Sequence, residues 1–400
     1  MTAPLTFVPR STSGSSIPFL CNRKDLRYSN VANIELAFAH DPALQNLVWY
    51  DEFLQRMLTG SPAREWTDAD DTQLAIYLQR THFLVHVSPR QVREVVNTYG
   101  LTHPRHVVRD WLTNLTWDQE PRITTALTDY WDAQPTESQK PEYLAAVSHN
   151  FFVGLIARVM QPGCQLDEMV VFESEQGRGK TTALRTLGGP WYAAAHEQVT
   201  SKDFFQDLQG KWVVEISELS AFSKAQVERI KHVISTPVDR YRGSYDRRSS
   251  DHARQCVFAG TTNTDDWGTD ETGLRRFWPV RCSWVNRSHL EIAREQLFAE
   301  AMVRYNADDR WWEMPSCTAD VQADRQAVDE WEVVVLPWLD QQQPQQTRIY
   351  DILTGPLGFA PERIDRTVQL RVGRILRCHH WQPRTTRVVG VPGRYWIPKS

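Results

Sequence analysis

Four hundred residues suggest two or three domains with ample chain to bury a core; 41% hydrophobic and 24% charged residues with a net charge of −4 make the composition that of a soluble globular protein. Six widely spaced cysteines with no Cys-x-x-Cys pair argue against a zinc ribbon or a disulfide scaffold and fit a reducing cytoplasm. No apolar run reads as long enough to cross a bilayer and the N-terminus has no uninterrupted apolar signal core, so the expectation is a cytoplasmic protein with no membrane partner.

Residues 1–30 carry Ser11, Ser13, Ser15 and Ser16 with little periodic hydrophobicity and read as a flexible lead-in. Residues 31–140 read as a helical N-terminal domain, with helices near 33–40, 43–58, 67–80, 89–99 and 105–114 punctuated by Pro62, Pro89, Pro104 and Pro121. A further amphipathic helix over 142–161 stops at Gln161-Pro162-Gly163. From 167 the pattern becomes short apolar strands separated by helices: Glu168–Glu173, Trp212–Ser217, Gln255–Thr261 and Phe277–Arg281. This predicts an α/β sheet in a domain over 141–285. Residues 286–340 return to helix (289–305 and 319–340), and the Gln-rich stretch Gln341–Gln346 reads as a linker. Beyond it, 347–400 reads as two helices, near 347–354 and 365–379, and a hairpin over Arg387–Trp396. That order is what a winged helix requires, with 365–379 as recognition helix and Arg371 and Arg374 as its DNA-contact candidates. Residues 346–400 hold ten Lys/Arg against Asp351, Glu362 and Asp365, net +7, which fits either a nucleic-acid arm or a solvated basic face.

The chemistry concentrates in the middle of the chain. The apolar run Met169-Val170-Val171-Phe172 ends at a glycine-bearing loop, Glu173-Ser174-Glu175-Gln176-Gly177-Arg178-Gly179-Lys180-Thr181-Thr182, and a helix-compatible segment follows. A phosphate-binding loop is built this way. Backbone N–H groups from Gln176 to Thr182 close around phosphate oxygens, Lys180 reaches the β- and γ-phosphates, and the Thr181 hydroxyl can ligate Mg²⁺. The usual first glycine of the motif is Ser174 here. About thirty residues on, Trp212-Val213-Val214-Glu215-Ile216-Ser217-Glu218 is an apolar strand with two acids at its end. One acid would complete the Mg²⁺ shell and the other polarise the attacking water; the spacing leaves open which does which. The bland alternative is a half-exposed strand with outward charges.

Cys256–Thr262 is another buried-type strand, and Asn263 at its end could orient the lytic water or simply make a turn with Thr264-Asp265-Asp266. Arg275 and Arg276, just before the strand at Phe277, could stabilise transferred-phosphoryl charge from a neighbouring subunit or pair with Asp270 or Glu271. Between the acid strand and Asn263, Arg240, Arg242, Tyr245, Arg247 and Arg248 interleave around Gly243. That suits a loop or hairpin gripping a DNA backbone, or a charged surface hairpin.

This ordered set resembles the virulence-associated protein E family, helicase-like ATPases of phages, prophages and pathogenicity islands that are similar to superfamily 3 replicative helicases. Trp117-Asp118-Gln119-Glu120-Pro121-Arg122-Ile123 matches that family's Trp-Asp-Gly-x-x-Arg-Ile signature with Gln119 in place of glycine, and Ala157–Cys164 matches the helix before its phosphate loop. The resemblance runs from about Asn33 to 315 and more weakly to 400. It implies an α/β P-loop NTPase core of the AAA+ or superfamily 3 helicase type. It also implies a ring-forming, hexameric ATPase acting on single-stranded DNA or a replication fork, with ATP and Mg²⁺ as cofactors. Lys180, Thr181, Glu215, Glu218, Asn263, Arg275 and Arg276 carry over to the family's functional positions. Many relatives carry a primase domain ahead of this region; this chain leaves no room for one, so priming would fall to a separate partner. A second class of function, a nucleotide-gated DNA-binding regulator or phage-interference factor without unwinding, fits the same motifs.

Overall fold

The computed structural model describes residues 17–195, 202–219, 222–241, 249–264, 267, 274–325, 330–379, 381–388 and 391–398. The N-terminal part comprises α1 (Val31–His40), β1 (Val48–Asp51), β2 (Arg56–Thr59), β3 (Arg64–Glu65), α2 (Asp68–Thr81), α3 (Pro89–Thr102), β4 (Pro104–Arg105), α4 (Val107–Thr113) and α5 (Ala126–Trp131). It is not all helical. The expected helix over 43–58 is a strand, a turn and a strand, and the region carries a four-stranded sheet of order β3-β2-β1-β4. Asp51 decides this. Its buried carboxylate accepts from the N–H groups of Phe53 and Leu54, which closes a turn where a helix would have to continue, and from the N–H of Val107 at the start of α4. Val48, Trp49 and Tyr50 just before it are bulky strand formers. Ser88 and Gln91 form a capping box on α3, with Pro89 in its first turn.

Residues 17–30 are pinned rather than loose. The Leu20 N–H donates to Asn33 Oδ1 at 2.7 Å, and Asn33 Nδ2 returns bonds to the carbonyls of Leu20 and Tyr28.

The next part is built on α6 (Pro141–Met160), β5 (Met169–Glu173), α7 (Lys180–Gly188), β6 (Tyr192–Ala195), α8 (Lys202–Asp207), β7 (Val213–Ile216), α9 (Lys224–Ser235), β8 (Val238–Tyr241), β9 (Ser250–Ala253), β10 (Val257–Thr262), β11 (Phe277–Arg281) and α10 (Arg287–Asn306). The four expected strands and one more, β6, make a five-stranded parallel sheet of order β11-β5-β10-β7-β6. β6 was illegible because Tyr-Ala-Ala-Ala favours helix; it is held as an edge strand by pairing with β7. The long helix α6 corrects one expectation: by length and composition it could span a bilayer, yet 78% of its apolar window is buried inside this protein. Phe152, Leu155, Ile156 and Val159 of α6 share one core with Val170, Phe172, Trp212 and Phe298. The Trp212 indole caps this packing by donating to the Leu155 carbonyl at 2.9 Å. The exposed edge of β11 is sealed by α6 and its approach: Gln139 exchanges two hydrogen bonds with the backbone of Arg281, and the Tyr143 hydroxyl donates to the Pro279 carbonyl.

The remaining elements are α11 (Thr318–Ala323), α12 (Glu332–Gln342), α13 (Ile349–Thr354), α14 (Arg366–Cys378), β12 (Trp381–Val388) and β13 (Val391–Pro398). The expected single helix over 319–340 is α11 and α12, and the expected linker over 341–346 is the end of α12 and a short connection towards α13. Gln343 closes α12 in the left-handed region, and Thr347 pairs with Trp396 through two backbone bonds. Val335 and Leu339 of α12 pack with Ile352, Leu353, Val372, Ile375, Leu376 and Trp396, so the C-terminal unit begins at α12. It consists of helices followed by an antiparallel hairpin, β12 with β13.

Candidate nucleotide site

The site forms where β5 hands over to α7. Gly177 and Gly179 take φ values of +82° and +94°, a conformation other residues adopt only with strain, and a Cβ on Gly179 would stand 3.0 Å from the Val285 side chain. The first helical bond of α7 runs from the Ala183 N–H to the Gly179 carbonyl. The N–H groups of Lys180, Thr181 and Thr182 therefore precede the first closed turn and are free for an anion. Ser174 does not take a positive φ, so glycine is not demanded there. Its carbonyl and hydroxyl both accept from the Lys180 ammonium, at 2.5 and 3.0 Å.

Lys180 also donates to the Glu175 carbonyl at 3.1 Å and to Asn263 Oδ1 at 3.2 Å. Asn263 thus stands beside the loop lysine at the end of β10, the strand between β5 and the acid-bearing β7. Burial pushes the Lys180 pKa below the ordinary lysine value, with nearby Cys282 and Glu215 opposing that shift.

Glu215 is fully buried in β7. Its Oε1 accepts from the hydroxyls of Thr181 and Thr261, each at 2.7 Å, and its Oε2 accepts from the Tyr192 hydroxyl of β6. Burial, reinforced by this carboxylate, pushes the Tyr192 hydroxyl pKa well up, so it stays a donor. Glu218, three residues on, is different: it is exposed, takes a positive φ of 57° and faces the cleft from its rim. The cleft, of about 320 Å³, is lined by residues 176–182, Ser217, Glu218 and Thr261–Asn263. One structural unit therefore collects Gln176, Gly177, Arg178, Gly179, Lys180, Thr181, Thr182, Glu218 and Asn263 around one space, with Glu215 bonded beneath it.

The arginines fall elsewhere. Arg275 and Arg276 lie in a 3-10 turn that enters β11, with Arg275 exposed. Phe277 pairs with Met169 and Arg281 with Glu173, so the turn sits at the opposite end of the sheet from the glycine-bearing loop, roughly 13 Å away along the strand. Arg276 acts electrostatically on Glu168, which precedes β5; Asp270 and Glu271 lie outside the described residues. Arg240 is exposed on β8 and pairs with Asp251 of β9 at 3.3 Å. Those strands form the base of a hairpin, and Arg242, Tyr245, Arg247 and Arg248 lie outside the described residues. Arg371 of α14 stacks over the Trp331 ring at 4.0 Å; Arg374 is on the same helix, its side chain outside the description.

A family model for the virulence-associated protein E-like domain matches residues 112–330. This chain belongs to the virulence-associated protein E-like family. No curated protein matches it. Among solved structures, it is similar to the apo NrS-1 C-terminal region, at 15% identity and a TM-score of 0.51, over 88% of this chain and 96% of that one. The A form apo structure of that region gives 14% identity, a TM-score of 0.48 and the same coverage. At these identities the likeness concerns the fold.

Sequence reasoning about this VapE-like chain missed several contributors. Thr261 and Tyr192 complete the shell of Glu215, and Thr261 was within reach as the residue two before Asn263. Glu173, Trp267 and Arg325 form a buried network directly under the loop. An isolated arginine 152 residues away from its partner leaves no sequence signal. Gln119, at the position where the family has glycine, takes a φ of 70°, which is the physical reason for a glycine there. Around it Arg122 forms a two-point pair with Asp118 at 2.6 and 2.7 Å.

Proposed function

We propose that this VapE-like protein is a P-loop ATPase of the AAA+ or superfamily 3 helicase type that moves on or unwinds DNA during replication of a phage or other mobile element. The observation that carries the reading is the convergence on Lys180: its ammonium touches Asn263 while its chain neighbour Thr181 is bonded to buried Glu215. Bare loops and half-exposed strands do not produce that meeting of separate segments.

In this reading the two acids divide their work by burial. Magnesium arriving with the nucleotide would be held by the Thr181 hydroxyl and Glu215 carboxylate, hard oxygen donors already side by side, and would neutralise charge on the β- and γ-phosphates. Lys180 would exchange its bonds to loop carbonyls for phosphate oxygens. Glu218, exposed at the rim, would polarise the water whose oxygen attacks the γ-phosphorus as the bond to the β-phosphate oxygen breaks; Asn263 would fix that water in line.

Arg275 and Arg276 lie too far down the sheet for their own site, which favours action across a subunit interface in a homo-oligomeric, hexameric ring. The β8–β9 hairpin and the basic C-terminal unit, including Arg240, Arg371 and Arg374, would contact DNA through its phosphates.

The test is steady-state ATP hydrolysis with and without single-stranded DNA, paired with strand displacement. DNA-stimulated turnover with displacement supports the motor. Slow turnover indifferent to DNA supports the nucleotide-gated regulator instead. Mixing Arg275→Ala or Arg276→Ala subunits with Glu218→Gln subunits tests the interface: recovered turnover in mixed rings supports an arginine acting in trans, and full turnover by an isolated monomer removes that idea.

A further inference from the structure

Glu173 is the last residue of β5, one peptide bond before Ser174, and its carboxylate is not in the nucleotide cleft. It is buried beneath the loop at 2% exposure, and three segments meet on it. Arg325, itself 4% exposed, grips both oxygens, with Nη2 to Oε2 at 2.9 Å and Nε to each oxygen at 3.2 Å. The Trp267 indole donates to Oε1 at 2.8 Å. Trp267 follows Asn263 by four residues and stands edge-on to Phe277 at the start of β11, next to the arginine turn. Arg325 lies just past α11, whose Gln322 donates to the Phe277 carbonyl, and the chain then leads on to α12 and the C-terminal core. On the other side, Glu173 is fixed in register with Thr262 and Arg281, and Ser174 holds the Lys180 ammonium.

A pair of this kind is a poor stabilising device. Desolvating a carboxylate and a guanidinium offsets most of their attraction, and well-packed apolar residues usually do as well. What a buried two-point pair supplies is geometry: it fixes the strand end to α11 at one distance and one orientation. We propose that Arg325 is a positioning residue, linking the helical extension that carries the basic C-terminal unit to the phosphate loop through Glu173, so that DNA engaged by that unit acts on the nucleotide site. This rests on the ATPase reading above and adds to it a named route between the two ligands.

The experiment uses the full chain and three variants: Arg325→Lys, Arg325→Met, and the doubly apolar Glu173→Leu/Arg325→Met. For each, the melting temperature, basal ATP turnover, KM for ATP and the ratio of DNA-stimulated to basal turnover are measured. Arg325→Met alone strands a buried carboxylate and is expected to melt lower. The double variant and Arg325→Lys keep the fold and basal turnover, while the stimulation ratio drops by at least about fivefold, the lower end of ordinary coupling between two sites. A folded double variant or Arg325→Lys with an unchanged ratio overturns the proposal, as does a parallel loss of basal and stimulated turnover. A wild-type chain that fails to bind ATP sinks the ATPase reading itself, a result distinguishable because it precedes any comparison of variants.

Discussion

Replacing Lys180 with methionine separates binding from stability in a way few substitutions do. Lys180 is 7% exposed and the four partners of its ammonium, Ser174 O, Ser174 Oγ, Glu175 O and Asn263 Oδ1, are all neutral. Its hydrogen bonds are therefore set against the cost of burying an unpaired charge, and burial has already depressed its pKa below 10.5. Methionine keeps the volume and removes the charge, so we expect a net change within about 1 kcal/mol of wild type. At roughly 2–4 °C per kcal/mol for a domain of this size, the melting temperature moves by only a few degrees. On the proposed ATPase reading, ATP binding would have no such compensation. Losing two charge-assisted bonds to phosphate, each about 1.5–3 kcal/mol, predicts an affinity lower by roughly 10²–10⁴-fold, with hydrolysis lost. Calorimetric ATP titration and a thermal melt on the same sample check both halves. The sign of the pH dependence follows from a base with a depressed pKa. The charged form costs folded stability below the folded-state pKa, and that cost is relieved as pH rises from there towards 10.5. The stability of the methionine variant relative to wild type should therefore be highest near neutrality and fall in alkali. Hydrolysis within about tenfold of wild type, or a melting point lower by about 10 °C or more, would refute the reasoning.

Other outcomes follow from the same geometry. Glu215→Gln loses one of three hydroxyl-accepting positions in a fully buried setting and should cost about 1–3 kcal/mol in denaturant unfolding, with hydrolysis falling at least about 100-fold while ATP binding persists. Gln119→Gly relieves a φ of 70° and should raise stability by up to about 1 kcal/mol; a lower melting temperature would count against strain at that residue. Asp51→Ala opens the turn between β1 and β2 and frees three N–H groups, so amide exchange over residues 48–59 should quicken by at least about tenfold, with the exchange of β5 and β10 unchanged.

The glycine-bearing loop, the acid strand and the Asn-bearing strand could be picked out from sequence as candidates for one cleft, because each depends on local chemistry: glycines where φ is positive, a lysine at a helix start, acids after an apolar run; the two arginines, read with them, fall at the other end of the sheet. Four of the five strands of the parallel sheet were legible for the same reason, since buried strands are short continuous apolar runs. β6 was not, because alanine carries no strand signal and only its pairing with β7 makes it one. The segment 43–58 misled because its apolar spacing suits a helix; Asp51 instead closes a local turn by accepting from Phe53 and Leu54, and a third bond, from Val107 56 residues away, holds it there. Sequence could not divide Glu215 from Glu218. Burial does, placing one against Thr181 and leaving the other at the cleft rim. Nor could it tie Arg325 to Glu173, for long-range pairing of two charges is decided by how helices and strands pack, and packing is a property of the whole folded chain.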